Sequence, residues 1–233
     1  KFVNKLRGIH PLLLLYFAVL PNLQAVKILL ENGRWGNVQS QEIQLVLEST
    51  ASIFSPYAPI LIEKNISVSP SSHPRIYYER ALNGEHRINL SAKDRYWCQY
   101  AFQFSHELGH LICKTTRGDQ ANQWFEESLC EAASLFALLE LSKIWDQNPP
   151  NPAWENYAKE FKDYRSDRIK TSGYPENFQL PSWWNKNRFK LSQNANLRKQ
   201  NLWVAIELLP LIEKDPSSAW SSCEWLNHSQ SEH

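Results

Sequence analysis

Methionine is absent from all 233 residues, the first position included, so the sequence is expected to begin downstream of an initiator. Lysine and arginine form no run denser than an ordinary surface, and the formal net charge is only +1. That balance lacks the electrostatic footprint of a nucleic-acid binder. The four cysteines (Cys98, Cys113, Cys130 and Cys223) contain no C-x-x-C, which excludes a zinc ribbon. No apolar run reaches the roughly 20 residues of a comfortable bilayer span. Internal repeats and long low-complexity tracts are absent as well. With 42% apolar and 21% charged residues, the chain is expected to fold around one sizeable core. Ten Trp, nine Tyr and ten Phe supply bulk for that core or for an aromatic cleft.

The amino-terminal segment reads as separate from the fold. Lys1, Lys5 and Arg7 precede the apolar run Leu12 to Leu20, Pro21 breaks it, and Leu23-Gln24-Ala25 follows. This is the order of a secretory signal, so residues 1–25 are expected to direct export to the periplasm or the exterior. Two other readings stand beside it. One is an apolar core helix continuing through Ile28-Leu29-Leu30, in a protein that stays in the cytoplasm. The other is an uncleaved anchor. Export would permit the cysteines to pair. Cys98 and Cys113 share one expected helix about 22 Å apart, so they cannot bridge each other. The preferred reading is four small buried hydrophobes.

Further along, Ile43, Val46, Leu47, Thr50, Ile53 and Phe54 recur with helical spacing, which predicts an amphipathic helix within residues 37–54. Ile60-Leu61-Ile62 and Arg75 to Tyr78 are rich in strand formers and bounded by turn residues. Asn83-Gly84 is a turn signal, and His86 to Leu90 alternates as a strand should, so the flanking runs predict a hairpin. Ser91-x-x-Asp94 would cap a helix running to about Cys113. A second long helix, residues 121–145, ends at the proline-rich residues 148–152. A late apolar helix spans residues 201–213, bent or interrupted by Pro210. Residues 26–148 are read as the core, and residues 149–233 as a helical, aromatic-rich part of the same domain.

The densest chemistry lies at His106-Glu107-Leu108-Gly109-His110, an H-E-x-x-H motif on a predicted helix. Residues four apart share a helix face, so both imidazoles can reach one metal ion. Glu107 lies about 100° around the axis, near a water on that metal. Two imidazoles with an adjacent carboxylate suit one zinc ion and hydrolysis. A catalytic zinc needs a third protein ligand and an open position. In the metzincin continuation the glycine and the last histidine would fall on Cys113 and Thr116, which excludes it. A following helix offers Glu126, Glu127 and Glu131. Glu127 and Glu131 share a face, while Glu126 is expected to point away by about 100°. One carboxylate of the pair would bind zinc, and the other would hydrogen-bond a ligating histidine. From spacing alone the third ligand stays open among Glu127, Glu131 and Glu126.

His106 to His110 followed by Trp124-Phe125-Glu126-Glu127-Ser128 resembles the gluzincin branch of the zincin metallopeptidases, over about residues 100 to 140 only. The resemblance implies that Glu127 completes the ligand set and that Glu131 supports a ligating histidine. It also implies an α+β, zincin-like fold. In that fold a small mixed β-sheet packs on an active-site helix and a glutamate helix, with a mainly helical C-terminal part. Antiparallel packing of those helices would put Cys113 and Cys130 about 10 Å apart, too far for a disulfide.

The expected function is zinc-dependent hydrolysis of a peptide or protein substrate, with Glu107 as general base. The alternatives are a non-catalytic interaction protein of the same fold and a zinc hydrolase of a non-peptide amide. Tyr157, Tyr164, Tyr174 and His228 are candidate hydrogen-bond donors to the transition state. His86 to Leu90 is the expected substrate-pairing edge. His73 and His86 are read as surface residues, and Trp183 and Trp184, with Phe178 and Tyr174, as core.

Overall fold

A computed structural model describes residues 25–114 and 122–227. The expected signal segment, the Arg117-Gly118-Asp119 loop and His228 lie outside the described residues, apart from Ala25. Four short strands, β1 (Ile28–Leu30), β2 (Ile66–Pro70), β3 (Arg75–Tyr77) and β4 (His86–Leu90), form one sheet in the order β1-β2-β4-β3. The pairs β1–β2 and β2–β4 are parallel. The hairpin partner β3 runs antiparallel to β4, with Ile76 opposite Ile88. Its turn depends on Gly84, whose positive φ of 85° suits a residue without Cβ.

The helices are α1 (Ser40–Phe54), α2 (Ile60–Glu63), α3 (Trp97–Ile112), α4 (Gln123–Gln147), α5 (Ala158–Thr171), α6 (Leu180–Gln193), α7 (Arg198–Lys214) and α8 (Pro216–Cys223). The chain is therefore of mixed α+β class, mostly helical around a small sheet. Among the described residues no helix is long and apolar enough to cross a membrane. On β4, His86, Ile88 and Leu90 are buried while Arg87 is exposed, so one face of the sheet carries the core. That face is covered by α1 and α3, and α4 packs behind them.

Helix α1 buries every apolar position expected of it, from Ile43 to Phe54. Helix α4 behaves differently. Its residues are buried without a gap from Ser128 to Leu138, because α1, α3, α5 and α7 surround it. A helix enclosed in this way has no polar stripe to give its orientation away. On α7, Pro210 lies inside the helix, which continues to Lys214. Near the C-terminal end of α4, Trp154 stacks on Trp145 at 5.1 Å, and Trp145 donates to Ser49 Oγ on α1 at 2.7 Å.

Four local expectations are corrected. Ile60-Leu61-Ile62 is the helical turn α2, entered from Pro59 in helical conformation. Three apolar residues carry no period, and burial of Leu61 decided the outcome. Ile28-Leu29-Leu30 is strand β1, so the alternative of a core helix through these residues fails. Ser91 and Asp94 do not cap α3, which starts at Trp97 without a side-chain cap. Asp94 instead accepts from the Asn37 backbone at 2.6 Å, and Ser91 is tied to Gln103 of α3. Finally, His86 is buried, with its pKa lowered to about 4 by desolvation and by the charge of Arg80. His73 is exposed as expected.

Candidate metal centre

The centre is built where α3 and α4 come closest. A Cβ on Gly109 would lie 2.9 Å from both Cα and Sγ of Cys130, so only glycine permits this approach. On the same helix His106 and His110 stand one turn apart, with ring centroids separated by 5.3 Å. Across the gap, Glu127 sets Oε2 3.4 Å from His106 Nε2 and Oε1 3.8 Å from His110 Nε2. Two ligands each about 2.0–2.1 Å from a tetrahedral zinc stand roughly 3.4 Å apart. Glu127 meets the two histidines through different carboxylate oxygens, so the carboxylate must turn for all three residues to share one small cation. Asn196, with its amide nitrogen turned toward Glu127, donates at 2.9 and 3.1 Å to the two carboxylate oxygens.

Both Nδ1 atoms turn toward other carboxylates, which leaves the Nε2 atoms for a metal. His110 Nδ1 pairs with Glu126 Oε1 at 2.6 Å. Glu126 is itself held by Asn227, whose amide donates to Oε2 at 2.7 Å. Glu126 thus does not point away, as its angle on the helix had suggested. It is almost fully buried, because the segment after α8 closes over it. Glu131 occupies the comparable place behind His106, with Oε1 4.0 Å from Nδ1, and its Oε2 is buried without a partner.

A second donor was not anticipated. His106, His110 and Cys130 present ligand atoms that all lie within 4.8 Å of one another, and this group can hold a metal ion. All four cysteines are buried free thiols, as the small-hydrophobe reading expects. Burial, then the charges of Glu126, Glu127, Glu107 and Glu131, push the Cys130 thiol well above its ordinary pKa. Its position three residues after Glu127 was the available signal, since that spacing shares a helix face. The two candidate third donors differ in access. Glu127 lines the open cavity, whereas Cys130 sits in the helix interface against Gly109.

The charges are strongly coupled. Burial works against protonation of His106, but its hydrogen bond to Glu127 and the charges of Glu131, Glu107 and Glu127 raise its pKa to about 9. For Glu127 burial is likewise overcome, and His106, His110 and Arg198 hold its carboxyl below the usual range. Glu107 is buried, and desolvation raises its pKa despite the nearby histidines and a hydrogen bond from the Ile76 backbone.

The cavity has a volume of about 860 Å³, and His106, Glu107, His110, Glu127 and Glu131 all line it. Of the tyrosines singled out by sequence, only Tyr164 reaches its wall. Tyr157 pairs with Cys98 Sγ at 3.6 Å, and Tyr174 bonds Glu207. Tyr78, just past β3, also lines the cavity and was missed. The expected substrate edge is corrected too: β4 is paired on both sides, and the sheet edge beside the cavity is β3. Of the aromatic group read as core only Phe178 is buried; Trp183, packed on it at 5.6 Å, Trp184, packed on Trp124 at 5.7 Å, and Tyr174 are half-buried. Compared with known protein families, curated proteins and solved structures, the chain matches none.

Proposed function

We propose that the protein is a zinc-dependent hydrolase of peptide bonds with a zincin-like, gluzincin-type core. The observation that carries this reading is the Glu127 carboxylate, which faces the Nε2 atoms of His106 and His110 on the wall of a cavity that also holds Glu107. In it His106, His110 and Glu127 hold the ion, and Glu126 and Glu131 orient the two imidazoles. Bound there, zinc would lower the pKa of a water toward about 7 and polarise the scissile carbonyl. Glu107 would accept that water's proton and deliver it to the leaving amine. The raised pKa of Glu107 suits a group that must hold a proton between two steps. Tyr164, on the cavity wall, would donate to the oxygen as charge develops on it.

The test combines metal analysis with hydrolysis of a casein digest. Wild-type protein is expected to take up one zinc per chain and to cleave the digest. Glu107→Gln is expected to keep the zinc and lose activity by about 10²- to 10⁴-fold. Zinc absent from the folded wild type after metal supplementation would sink the reading. The His106/His110/Cys130 group favours a second reading, a non-catalytic protein holding its metal in the helix interface. That reading expects zinc uptake to depend on Cys130 and the digest to stay intact.

A further inference from the structure

The cavity contains a cation that the hydrolytic reading leaves unused. Arg168 on α5 holds its guanidinium 4.6 Å from the centroid of the Phe102 ring, and its Nε is buried with no hydrogen-bond partner. Among the described residues it makes no ion pair. Glu131, the acid on the same wall, turns Oε1 toward His106. A buried N–H without an acceptor is costly, and a ligand oxygen reaching this half-buried side chain would satisfy it. The Phe102 ring holds the guanidinium by a cation–π contact, and the planar fork of an arginine matches a carboxylate bidentately.

Its place along α3 decides what that carboxylate belongs to. Phe102 precedes His106 by four residues, an axial distance of about 6 Å. An extended peptide advances roughly 3.3–3.6 Å per residue. On that axial spacing, a carboxylate on Arg168 would lie one or two residues from a carbonyl held beside His106. A chain's α-carboxylate always follows the scissile carbonyl, on the leaving-amine side. We propose that Arg168 binds the C-terminal carboxylate of the substrate, so that the protein removes one or two residues from free peptide C-termini. The proposal rests on the hydrolytic reading for the cleavage and on Arg168 alone for the binding.

Two arms test it. In the first, zinc-loaded protein digests a randomised peptide pool, prepared once with free C-termini and once with C-terminal amides. Cleavage of the free-acid pool within two residues of the end, with the amide pool spared, is expected. Cleavage of the amide pool only beside Asp or Glu would instead assign the subsite to a side-chain carboxylate and overturn the C-terminal assignment. Equal cleavage of both pools overturns the subsite and leaves the hydrolase standing.

In the second arm, Glu107→Gln protein binds N-acetyl-phenylalanyl-leucine and its amide at equilibrium. The acid is expected to bind on the order of 10- to 100-fold more tightly. Arg168→Met, which keeps the stem over Phe102, is expected to erase that difference, and Arg168→Lys to restore part of it. Acid and amide binding alike in the parent, or a preference surviving in Arg168→Met, overturns the proposal. Acid-selective binding that depends on Arg168, with neither pool cut, keeps the subsite and defeats the hydrolytic reading.

Discussion

His110 and Glu126 meet at 2.6 Å between Nδ1 and Oε1, behind the imidazole and away from the cavity. This contact fixes which ring nitrogen faces the centre, because a carboxylate at Nδ1 keeps the proton there and leaves Nε2 as the lone-pair donor. Glu126→Gln should therefore lower zinc affinity by about 10- to 100-fold while leaving the fold intact. Competition with a fluorescent chelator measures the affinity, and circular dichroism checks the fold. An unchanged affinity would show that α3 alone sets the imidazole orientation.

Glu127 and Cys130 compete for the third position, and paired variants separate them. Glu127→Gln is expected to weaken zinc binding by more than the approximately 100-fold loss of an outer hydrogen-bond partner. Cys130→Ala removes a thiol held protonated in the helix interface, so affinity should stay close to that of the parent. The reverse order in the same titration would move the ligand set to His106, His110 and Cys130.

Gly109 determines the spacing of α3 and α4. Alanine has the higher helix propensity by up to about 1 kcal/mol. Here its Cβ would meet Cys130 Cα at 2.9 Å, and backbone cannot swing aside as a flexible side chain can. Overpacking of this kind costs about 1–3 kcal/mol, so Gly109→Ala should lower the thermal midpoint. Zinc affinity should fall with it, since Glu127 moves away from both histidines. A midpoint at or above that of the parent would show that the helices separate without penalty.

His86 makes part of the stability depend on pH. Its folded pKa of about 4 lies below the ordinary 6.5, so the unfolded chain takes up a proton first as the pH falls. Stability is complete above pH 6.5 and is lost progressively between 6.5 and about 4, by up to about 3 kcal/mol from this group. Urea denaturation of the parent and of His86→Leu, each at pH 7 and pH 4.5, isolates the contribution. The parent should lose more stability than the variant on acidification, and equal losses would refute the assignment.

Local pattern determined much of this protein. The spacing of Ile43 to Phe54 was enough to define α1, and β-formers around Asn83-Gly84 were enough for the β3–β4 hairpin, because one buried face leaves a readable period. His106 and His110 share a face by helix geometry alone, and so do Glu127 and Glu131.

What only the tertiary structure decided is where a period is absent or a neighbour intervenes. Ile60 to Ile62 became a helical turn, and Ile28 to Leu30 paired with residues far along the chain in β2. Between Ser128 and Leu138, helix α4 is enclosed by four others, so that stretch of sequence carries no outward face. Glu126, angled off the Glu127 line, found His110 and, from the segment after α8, Asn227 instead of water. Cys130 met Gly109, and Arg168 came to the cavity from a helix beyond the motif. Helical periodicity encodes which residues share a face. Only the packing of the surrounding helices decides what that face meets.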